Sequence, residues 1–320
     1  MSGATDGKDS HVEPLVIGTR GSPLALAQTK IVTDFLAKRG VYYHVKMIKT
    51  TGDAIQNKPL YDVGGKALFS KELETALLHK TIHLAVHSLK DLETPRPNGL
   101  VLCAYLKRAD PRDVLVTHFN QHENKVYGCG LQDLPKGAVV GTSAPRRMAQ
   151  LLHHRPDLGV CPVRGNVGTR LSKLNTSSLS STHDVTYDAI LFAKAGLDRL
   201  GIDVDESAIL SVNTMIPSAG QGIIALECCE EDKEFMCSLF EEVNDQETVR
   251  PAGLERSFVE RLEGATCRSP VGIYAEIFSK HICLRAMLCI GKKVHIFEKT
   301  YDATRDDEEI LDDFMRQHLR

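Results

Sequence analysis

The sequence predicts an α/β protein with mostly parallel strands, followed by a small α+β domain at the C-terminus. Short apolar runs alternate with helix-like segments over the first two thirds of the chain, as in sheets that are covered by helices on both faces. After residue 245 the pattern changes to a helix, a turn rich in glycine and proline, and longer strands. The chain has 320 residues, which at ~150 residues per domain indicates two domains or three small ones.

The predicted strands of the α/β part are short apolar runs bounded by glycine or polar residues, and the predicted helices carry apolar residues at helical spacing. The strands cover residues 15–19, 43–48, 83–86, 101–105, 114–116, 138–140, 160–163, 189–192 and 223–228. The helices cover residues 22–39, 70–79, 145–152 and 167–174. Residues 54–66 and 175–187 have no clear period and are predicted surface loops; the first, with paired glycines beside Lys66, is the better lid candidate.

The C-terminal pattern predicts a helix over residues 254–262 and a turn over 264–272. Strands over residues 274–278, 282–290 and 294–299 follow, and an acidic segment over 306–314 predicts a final helix. Longer strands in succession, flanked by two helices, are typical of a small α+β unit.

Composition excludes several classes of protein. Lys and Arg number 39 and Asp and Glu 42, a net charge of −3, which argues against general nucleic-acid binding. No apolar run approaches the ~18 residues of a membrane span, and residues 1–13 lack the apolar segment of a signal peptide. Nine cysteines without a Cys-x-x-Cys pair support neither a disulfide framework nor a metal site. We therefore expect a cytoplasmic protein without metal or membrane partner.

Two strand-to-helix junctions resemble each other. Val16-Ile-Gly-Thr leads through a polar turn to Pro23, and Val139-Val-Gly-Thr leads to Pro145. Proline suits the first helical turn, and the free N–H groups of a helix N-terminus attract anions. A third junction, over residues 163–170, has Asn166 as a candidate cap.

Basic residues follow several of the predicted strand ends. They are Arg20, Lys90, Arg146, Arg147, Arg164 and Arg170. Ligands of open α/β sheets bind beyond the carboxyl ends of the strands, so these cations are expected at one edge. Any one of them is most simply a solvated surface residue, but the set favours a polyanionic ligand, and arginine binds carboxylates in a bidentate way.

One acid, Asp91, interrupts this basic edge directly after the strand at 83–86. Cations around a carboxylate lower its pKa, so Asp91 is expected to stay ionised and to stabilise a cationic intermediate; an ion pair or a helix cap is the alternative. His83 and His87 lie ~13 Å apart on a strand, too far to share one metal ion. Glycines at positions 220 and 222 mimic a dinucleotide motif, but a strand follows them where that motif needs a helix.

Cys267 differs from the other cysteines because it lies in the predicted Gly/Pro-rich turn, beside Arg268. A positive neighbour favours the nucleophilic thiolate. On composition alone an inert thiol remains the alternative.

Taken together, these segments closely resemble the porphobilinogen deaminase (hydroxymethylbilane synthase) family. The matching segments are IGTRGSPLAL at 17–26, GGKALFSKELE at 64–74, HSLKDL at 87–92, VGTSAPRR at 140–147, VRGNVGTRL at 163–171, AGLDR at 195–199, GQG at 220–222 and the Cys267 turn. They run in order from about residue 15 to residue 300. The resemblance implies two similar α/β halves around a cleft, as in type II periplasmic binding proteins, and a C-terminal α+β domain.

The resemblance also implies the domain boundaries. Domain 1 would take residues 15–110 and 217–242, because the chain returns to it, and domain 2 would take 111–216. Domain 3 would take residues 243–320, and residues 1–14 would be a disordered tail.

The reaction implied by the resemblance condenses four porphobilinogen molecules head to tail, with loss of ammonia, into hydroxymethylbilane in tetrapyrrole (haem) biosynthesis. The chain grows on a dipyrromethane cofactor joined to Cys267 through a thioether, and each pyrrole carries acetate and propionate. Asp91 matches the catalytic acid. The family's cofactor- and substrate-binding positions correspond to Arg20, Ser22, Gln28, Lys66, Ser88, Lys90, Thr142, Ser143, Arg146, Arg147, Arg164, Gly165, Arg170 and Arg199.

Three departures from the family pattern stand out. Ala144 and Pro145 replace a serine and a leucine, the segment Glu263-Gly-Ala-Thr-Cys267 is one residue longer than usual, and Ser218-Ala219 replaces a common Ala-Val. None removes a charged group. A non-catalytic two-domain anion-binding module and a family member of low activity remain the alternative functions, and a monomer is expected because no heptad pattern or long exposed apolar stripe occurs.

Overall fold

The computed structural model describes residues 13–54, 69–174, 185–263, 270–291 and 293–318. Cys267 and Lys66 lie outside these residues, as do most of the predicted N-terminal tail and large parts of the predicted loops at 54–66, 175–187 and 264–272. Within the described residues, no helix is long and apolar enough to cross a bilayer.

The first sheet has five strands in the order β2-β1-β3-β11-β4. They are β1 (Leu15–Arg20), β2 (Tyr43–Ile48), β3 (Leu84–Ser88), β4 (Leu100–Tyr105) and β11 (Ile224–Cys229). Helices α1 (Pro23–Lys38), α2 (Thr51–Ala54), α3 (Lys71–Leu78) and α7 (Lys233–Leu239) belong to this part of the chain. The Ser22 hydroxyl accepts a hydrogen bond from the Ala25 N–H at 3.2 Å and caps α1, so the sequence signal for this helix start is confirmed.

The second sheet has six strands in the order β10-β6-β5-β9-β7-β8. They are β5 (Asp113–Asn120), β6 (Lys125–Gly128), β7 (Val139–Gly141), β8 (Gly159–Cys161), β9 (Ala189–Ala193) and β10 (Asp203–Val204). Helices α4 (Pro145–His154), α5 (Val167–Ser172) and α6 (Lys194–Arg199) follow β7, β8 and β9. Asn166 caps α5, since its Oδ1 accepts from the Thr169 N–H at 2.9 Å.

The two sheets share one topology. The order β2-β1-β3-β11-β4 corresponds strand for strand to β8-β7-β9-β5-β6, so the similar junctions before α1 and α4 occupy equivalent places. The predicted parallel pairing holds within β2-β1-β3 and within β8-β7-β9. Both sheets are nevertheless mixed, because β11 runs antiparallel to β3 and β4, and β5 runs antiparallel to β9 and β6. The physical reason is that β5 and β11 each enter their sheet from the other half, not through a helical crossover within their own.

The third sheet is a three-stranded antiparallel sheet with two helices. It contains β12 (Val271–Phe278), β13 (His281–Ile290) and β14 (Lys293–Asp302), together with α8 (Gln246–Glu263) and α9 (Asp307–His318). Phe258 of α8 and Phe314 of α9 are fully buried with their ring centroids 5.8 Å apart. The predicted C-terminal α+β unit is confirmed, although α8 begins at Gln246 and not at residue 254.

Two connecting segments, residues 106–112 and 211–223, carry the chain between the first two sheets. They run side by side, with the Ala109 N–H donating to the Gly222 oxygen at 3.1 Å and Arg108 Nε donating to the Gln221 oxygen at 2.9 Å. Gly222 has φ +90°, and a Cβ there would lie 2.4 Å from the Ala109 oxygen, so only glycine allows this approach. The paired segments hold the two halves on either side of a cleft.

Candidate functional site

Two adjoining cavities surround the end of β3: residues of both halves line the larger one, and residues of the first half alone line the smaller one. The larger, which encloses about 520 Å³ when the open solvent at its mouth is included, is lined from the first half by Gln28, Ser88 and Lys90. The smaller, of about 320 Å³ on the same measure, also touches Gln28 and Ser88 and is lined by Arg20 and Asp91. Because Gln28 Nε2 donates to Ser88 Oγ at 2.7 Å, the wall between the two cavities is fixed.

The end of β3 supplies the reactive groups of the first half. Lys90 and Asp91 lie in a 3-10 turn, Leu89–Asp91, that directly follows the strand. Lys90 lines the larger cavity and Asp91 the smaller. This turn therefore brings one ammonium and one carboxylate side by side at the C-terminal end of a buried strand.

Of the two histidines noted in the sequence, His83 is hydrogen-bonded as predicted, whereas the buried Nε2 of His87 lies beside a carboxylate without forming a hydrogen bond to the described residues. His83 Nδ1 accepts from the Val16 N–H at 3.0 Å. His87 Nε2 lies 3.0 Å from Glu227 Oε2, and Glu227 is also bound by Arg96 at 2.6 Å. The described residues contain no group of His, Cys, Asp or Glu side chains suited to a metal ion.

The N-terminus of α4 supplies two buried arginines. Arg146 Nη2 and Arg147 Nη2 donate to the two oxygens of Asp113 at 2.8 and 2.7 Å. Asp113 is fully buried; burial raises its pKa, but the charges of Arg146 and Arg147 outweigh this and hold the pKa of the carboxyl well below its usual range. Arg147 lines the larger cavity, whereas Arg146 donates to Ile216 O and Ser218 Oγ of the connecting segment.

Arg170 and Arg199 complete the larger cavity from α5 and α6. The guanidinium of Arg170 lies over the Phe192 ring at 5.1 Å from its centroid, and Arg199 Nη2 donates to the Gly222 oxygen at 2.6 Å. Neither comes within 4.0 Å of a carboxylate oxygen of the described residues, nor does Lys90. Three cations therefore face the cavity without a carboxylate partner from that part of the chain.

Burial makes these cations costly in the absence of an anion. It is the largest cause that lowers the pKa of Lys90 to about 8, and the charges of Arg147 and Arg146 lower it further against the opposing effect of Asp91 and Asp113. Burial likewise lowers the pKa of Arg170 to about 10 and that of Arg199 to about 10. A multiply charged anion would relieve this penalty.

Two guanidinium nitrogens near the larger cavity are unusual. The Nε atoms of Arg147 and Arg170 are buried and lack a hydrogen-bond partner among the described residues, although buried polar atoms are nearly always paired. Both arginines line the larger cavity. A multiply charged anion in the cavity would offset the charges of these arginines, while the two Nε atoms themselves are closed off from the cavity.

Only some of the predicted site residues line the two cavities. Arg20, Gln28, Ser88, Lys90, Asp91, Arg147, Arg170 and Arg199 line the two cavities. Ser22, Thr142, Ser143, Arg146, Arg164 and Gly165 line neither of them.

Most residues of the second group have structural partners. Ser143 Oγ donates to the Val163 oxygen at 2.8 Å, and Thr142 Oγ1 accepts from the Ala144 N–H at 3.2 Å. Gly165 has φ +110°, with Thr169 Cγ2 2.7 Å from the position of an added Cβ, so this turn requires glycine. Arg164 lies three residues beyond the end of β8, not at a strand end as predicted.

Sequence reasoning missed Asp113, Gln221 and Phe192. Asp113 opens an apolar strand and carries no local signal beyond its charge. Gln221 belongs to the GQG segment that matches the family, but the sequence gives this residue no role of its own. Phe192 has the pattern of a core strand residue, and its contact with Arg170 is visible only in three dimensions.

Comparison with known proteins supports one family. A family model described as porphobilinogen deaminase, dipyromethane cofactor binding domain, matches residues 15–237. A protein named porphobilinogen deaminase from Nitrobacter winogradskyi is 41% identical over 299 residues, 92% of this chain and 89% of its own length. One of the same name from Francisella philomiragia is 38% identical over 309 residues, 96% of each chain. Among solved structures, a periplasmic substrate-binding protein of an ABC transporter from Coxiella burnetii aligns with 76% of this chain and 96% of its own at 14% identity, with a TM-score of 0.41.

Proposed function

This chain belongs to the porphobilinogen deaminase family, and from that premise we propose how its own residues carry the reaction. It is a transferase of porphyrin biosynthesis that condenses four porphobilinogen molecules head to tail, with loss of ammonia, and it works with a dipyrromethane cofactor. The observation that carries the assignment of residues is the convergence of Lys90, Arg147, Arg170 and Arg199 on one cavity beside Asp91.

These four cations bind the acetate and propionate groups of the pyrroles. Lys90 comes from the first half and the three arginines from the second, so one ligand with carboxylates on both edges spans the cleft. A hydrogen bond to a charged group contributes about 1.5–3 kcal/mol. Binding also returns the pKa of Lys90 toward its ordinary value, because a carboxylate stabilises the ammonium.

Asp91 acts on the substrate's reacting carbon through charge. Loss of ammonia from porphobilinogen leaves a cation that is conjugated with the pyrrole nitrogen. A carboxylate that accepts a hydrogen bond from the pyrrole N–H stabilises this cation more than the neutral substrate, which lowers the barrier. Asp91 lines the smaller cavity together with Arg20, whose guanidinium lies 4.3 Å from the centroid of the Phe69 ring. We rank charge stabilisation before proton transfer to the leaving amine, since an ionised carboxylate accepts hydrogen bonds and has no proton to donate.

The cofactor is proposed to be attached at Cys267. When bound, it supplies a carbon nucleophile, tethered to the protein, to which the substrate units are added. The described residues after this turn support the assignment, because the Ile273 N–H donates to the Pro217 oxygen at 2.9 Å and Arg146 Nη1 donates to the oxygen of the preceding Ile216. Strand β12 therefore starts against the connecting segment that borders the cleft. Lys66 is proposed as a further cation for the ligand.

The experiment that tests the proposed function is a steady-state assay of the full chain with porphobilinogen. We expect consumption of the pyrrole with release of one ammonia per molecule. Binding without consumption would identify an anion-binding module, and a trace of consumption by protein that carries the cofactor would identify the low-activity alternative. Either result contradicts the proposal.

The reaction is expected to lose efficiency as the pH rises through the pKa of Lys90, which is about 8 in the chain without a bound carboxylate and higher where carboxylates of the cofactor contact the ammonium. Lys90 is cationic below this pH and neutral above it, and kcat/KM reports groups of the free enzyme. Lys90→Arg keeps the positive charge at high pH, so the fall in kcat/KM of this variant should occur at higher pH. The measurement is kcat/KM between about pH 6.5 and about pH 9.5, which brackets that pKa. A fall in kcat/KM at the same pH in wild type and variant would show that Lys90 does not control the pH dependence.

We also propose that the enzyme acts as a monomer in the cytoplasm and that its product serves haem formation. The eight cysteines among the described residues are free thiols, as a reducing compartment permits. The two halves of one chain supply both sides of the cleft, so a second copy is not needed to complete it.

A further inference from the structure

The amide of Gln221 lies between charged groups of the two halves. Its Nε2 donates to Asp113 Oδ1 at 2.8 Å and to the Pro111 oxygen at 2.7 Å. Its Oε1 accepts from Lys90 Nζ at 3.4 Å. The side chain is 1% exposed, so both ends of the amide are used inside the protein.

Asp113 extends this contact into the second half. Its carboxylate also accepts from Arg146 and Arg147, and Arg147 is fixed again by a 3.0 Å bond from Nη1 to the Leu191 oxygen. A continuous path of hydrogen bonds therefore leads from Lys90 through Gln221 and Asp113 to the arginine that lines the larger cavity.

We propose that Gln221 is a positioning residue that fixes the distance between the Lys90 ammonium and the Arg146–Arg147 pair, so that cations of both halves meet one ligand. This inference rests on the proposed function, because it assumes that these cations bind the carboxylates of the substrate. Gln221 itself lies behind the cations and is not among the residues that line either cavity.

Only a group with a donor and an acceptor can link an ammonium to a carboxylate. An amide has both, whereas a carboxylate at this position would repel Asp113 and an ammonium would repel Lys90. The flanking residues Gly220 and Gly222 have φ +71° and +90°, which turns the chain sharply on both sides of Gln221. The backbone thereby directs the amide into the gap between the halves.

The test compares Gln221→Met, which removes both polar ends but keeps the length, with the matched control Gln150→Met. Gln150 is also fully buried and holds the same connecting segment, through bonds to the Ile216 N–H and oxygen at 2.7 and 3.1 Å. Its bond to Arg146, at 3.3 Å, goes to the backbone oxygen and not to the guanidinium. We expect Gln221→Met to lower kcat/KM about tenfold or more, the loss of a hydrogen bond to charged groups. Gln150→Met should lower the Tm but keep kcat/KM within about twofold.

A second readout does not need turnover. Lys90 is faced by Asp91 of its own turn, by Asp113 of β5 and by Arg146 and Arg147 of α4. Its pKa is lower in the folded than in the unfolded protein, so its contribution makes the Tm rise with pH above about 8. Without its acceptor the ammonium is less stable, and in Gln221→Met this rise should begin at lower pH than in wild type and in Gln150→Met.

Gln221→Glu distinguishes the bond to Lys90 from the bond to Asp113. It keeps the acceptor for Lys90 but places a negative charge against Asp113. Its Tm rise should begin at higher pH than in wild type, while kcat/KM falls. Gln221→Asn keeps the amide one methylene shorter and carries the same expectation as Gln221→Met, should that variant not fold.

Three results would each overturn the proposed role of Gln221. They are an unchanged kcat/KM in Gln221→Met, an equal loss of kcat/KM in Gln150→Met, and a Tm rise that begins at the same pH in all variants. A wild-type protein without turnover would instead overturn the proposed function. The pH dependence of the Tm would still test whether Gln221 stabilises the Lys90 ammonium.

Discussion

Replacement of Asp91 by asparagine is expected to reduce kcat by about a hundredfold to a thousandfold while the cofactor stays attached. The amide would keep the shape of the side chain but not the charge that stabilises the cation left after loss of ammonia, and removal of one such electrostatic contact costs about 10²–10³ in kcat. The KM should change much less, since we propose that Lys90 and the arginines that line the larger cavity bind the carboxylates of the substrate.

The measurement is kcat at saturating porphobilinogen together with the intact mass of the variant. Asp157→Asn is a suitable control, because Asp157 pairs with Arg155 at 2.8 Å and lines neither cavity. A variant Asp91→Asn that turns over at the wild-type rate would remove Asp91 from the mechanism. A variant that has lost the mass of the cofactor would show instead that Asp91 acts in cofactor assembly.

Replacement of Cys267 by serine is expected to abolish both cofactor attachment and turnover. A thiolate is a far stronger nucleophile than a serine hydroxyl at neutral pH, and the neighbouring Arg268 favours the thiolate. The purified variant should have the mass of the bare chain, whereas the wild type should carry the added mass of a dipyrromethane.

Cys289→Ser provides the matched control. Cys289 is a partly exposed thiol in β13 of the same C-terminal unit, and its variant should keep the added mass and the activity. A wild-type protein from haem-competent cells with the mass of the bare chain, or a Cys267→Ser variant that retains the adduct, would move the attachment to another residue.

The structure also changes the role expected for one of the two arginines at the start of α4. The sequence treats Arg146 and Arg147 alike, as a pair of cations after a strand. In the folded chain Arg147 lines the larger cavity, but Arg146 is directed toward Ile216 and Ser218 of the connecting segment. Neighbouring helical residues point about 100° apart, so two adjacent arginines cannot face the same ligand equally.

The amino-acid sequence by itself determined the order of the elements and the family. Strand runs, the cap at Ser22 with Pro23, and the cap at Asn166 are local patterns, since each depends on residues within one turn of the chain. Two short strands, β6 with four residues and β10 with two, were not predicted, because such short segments show no period. The four cations that line the larger cavity, Lys90, Arg147, Arg170 and Arg199, and the neighbouring Asp91 are predicted by the sequence motifs, whereas the apolar lining residue Phe192 is not.

Only the tertiary structure decided which strands share a sheet and which charges share a site. Strand β11 joins the first sheet long after β4 in the chain, and nothing in its apolar sequence specifies an antiparallel neighbour. Asp113 and Gln221 are 108 positions apart, yet they share a hydrogen bond that connects both halves. The physical reason is that helix caps and apolar periods act over a few residues, whereas burial and electrostatic pairing depend on distance in space, which exists only after the chain has folded.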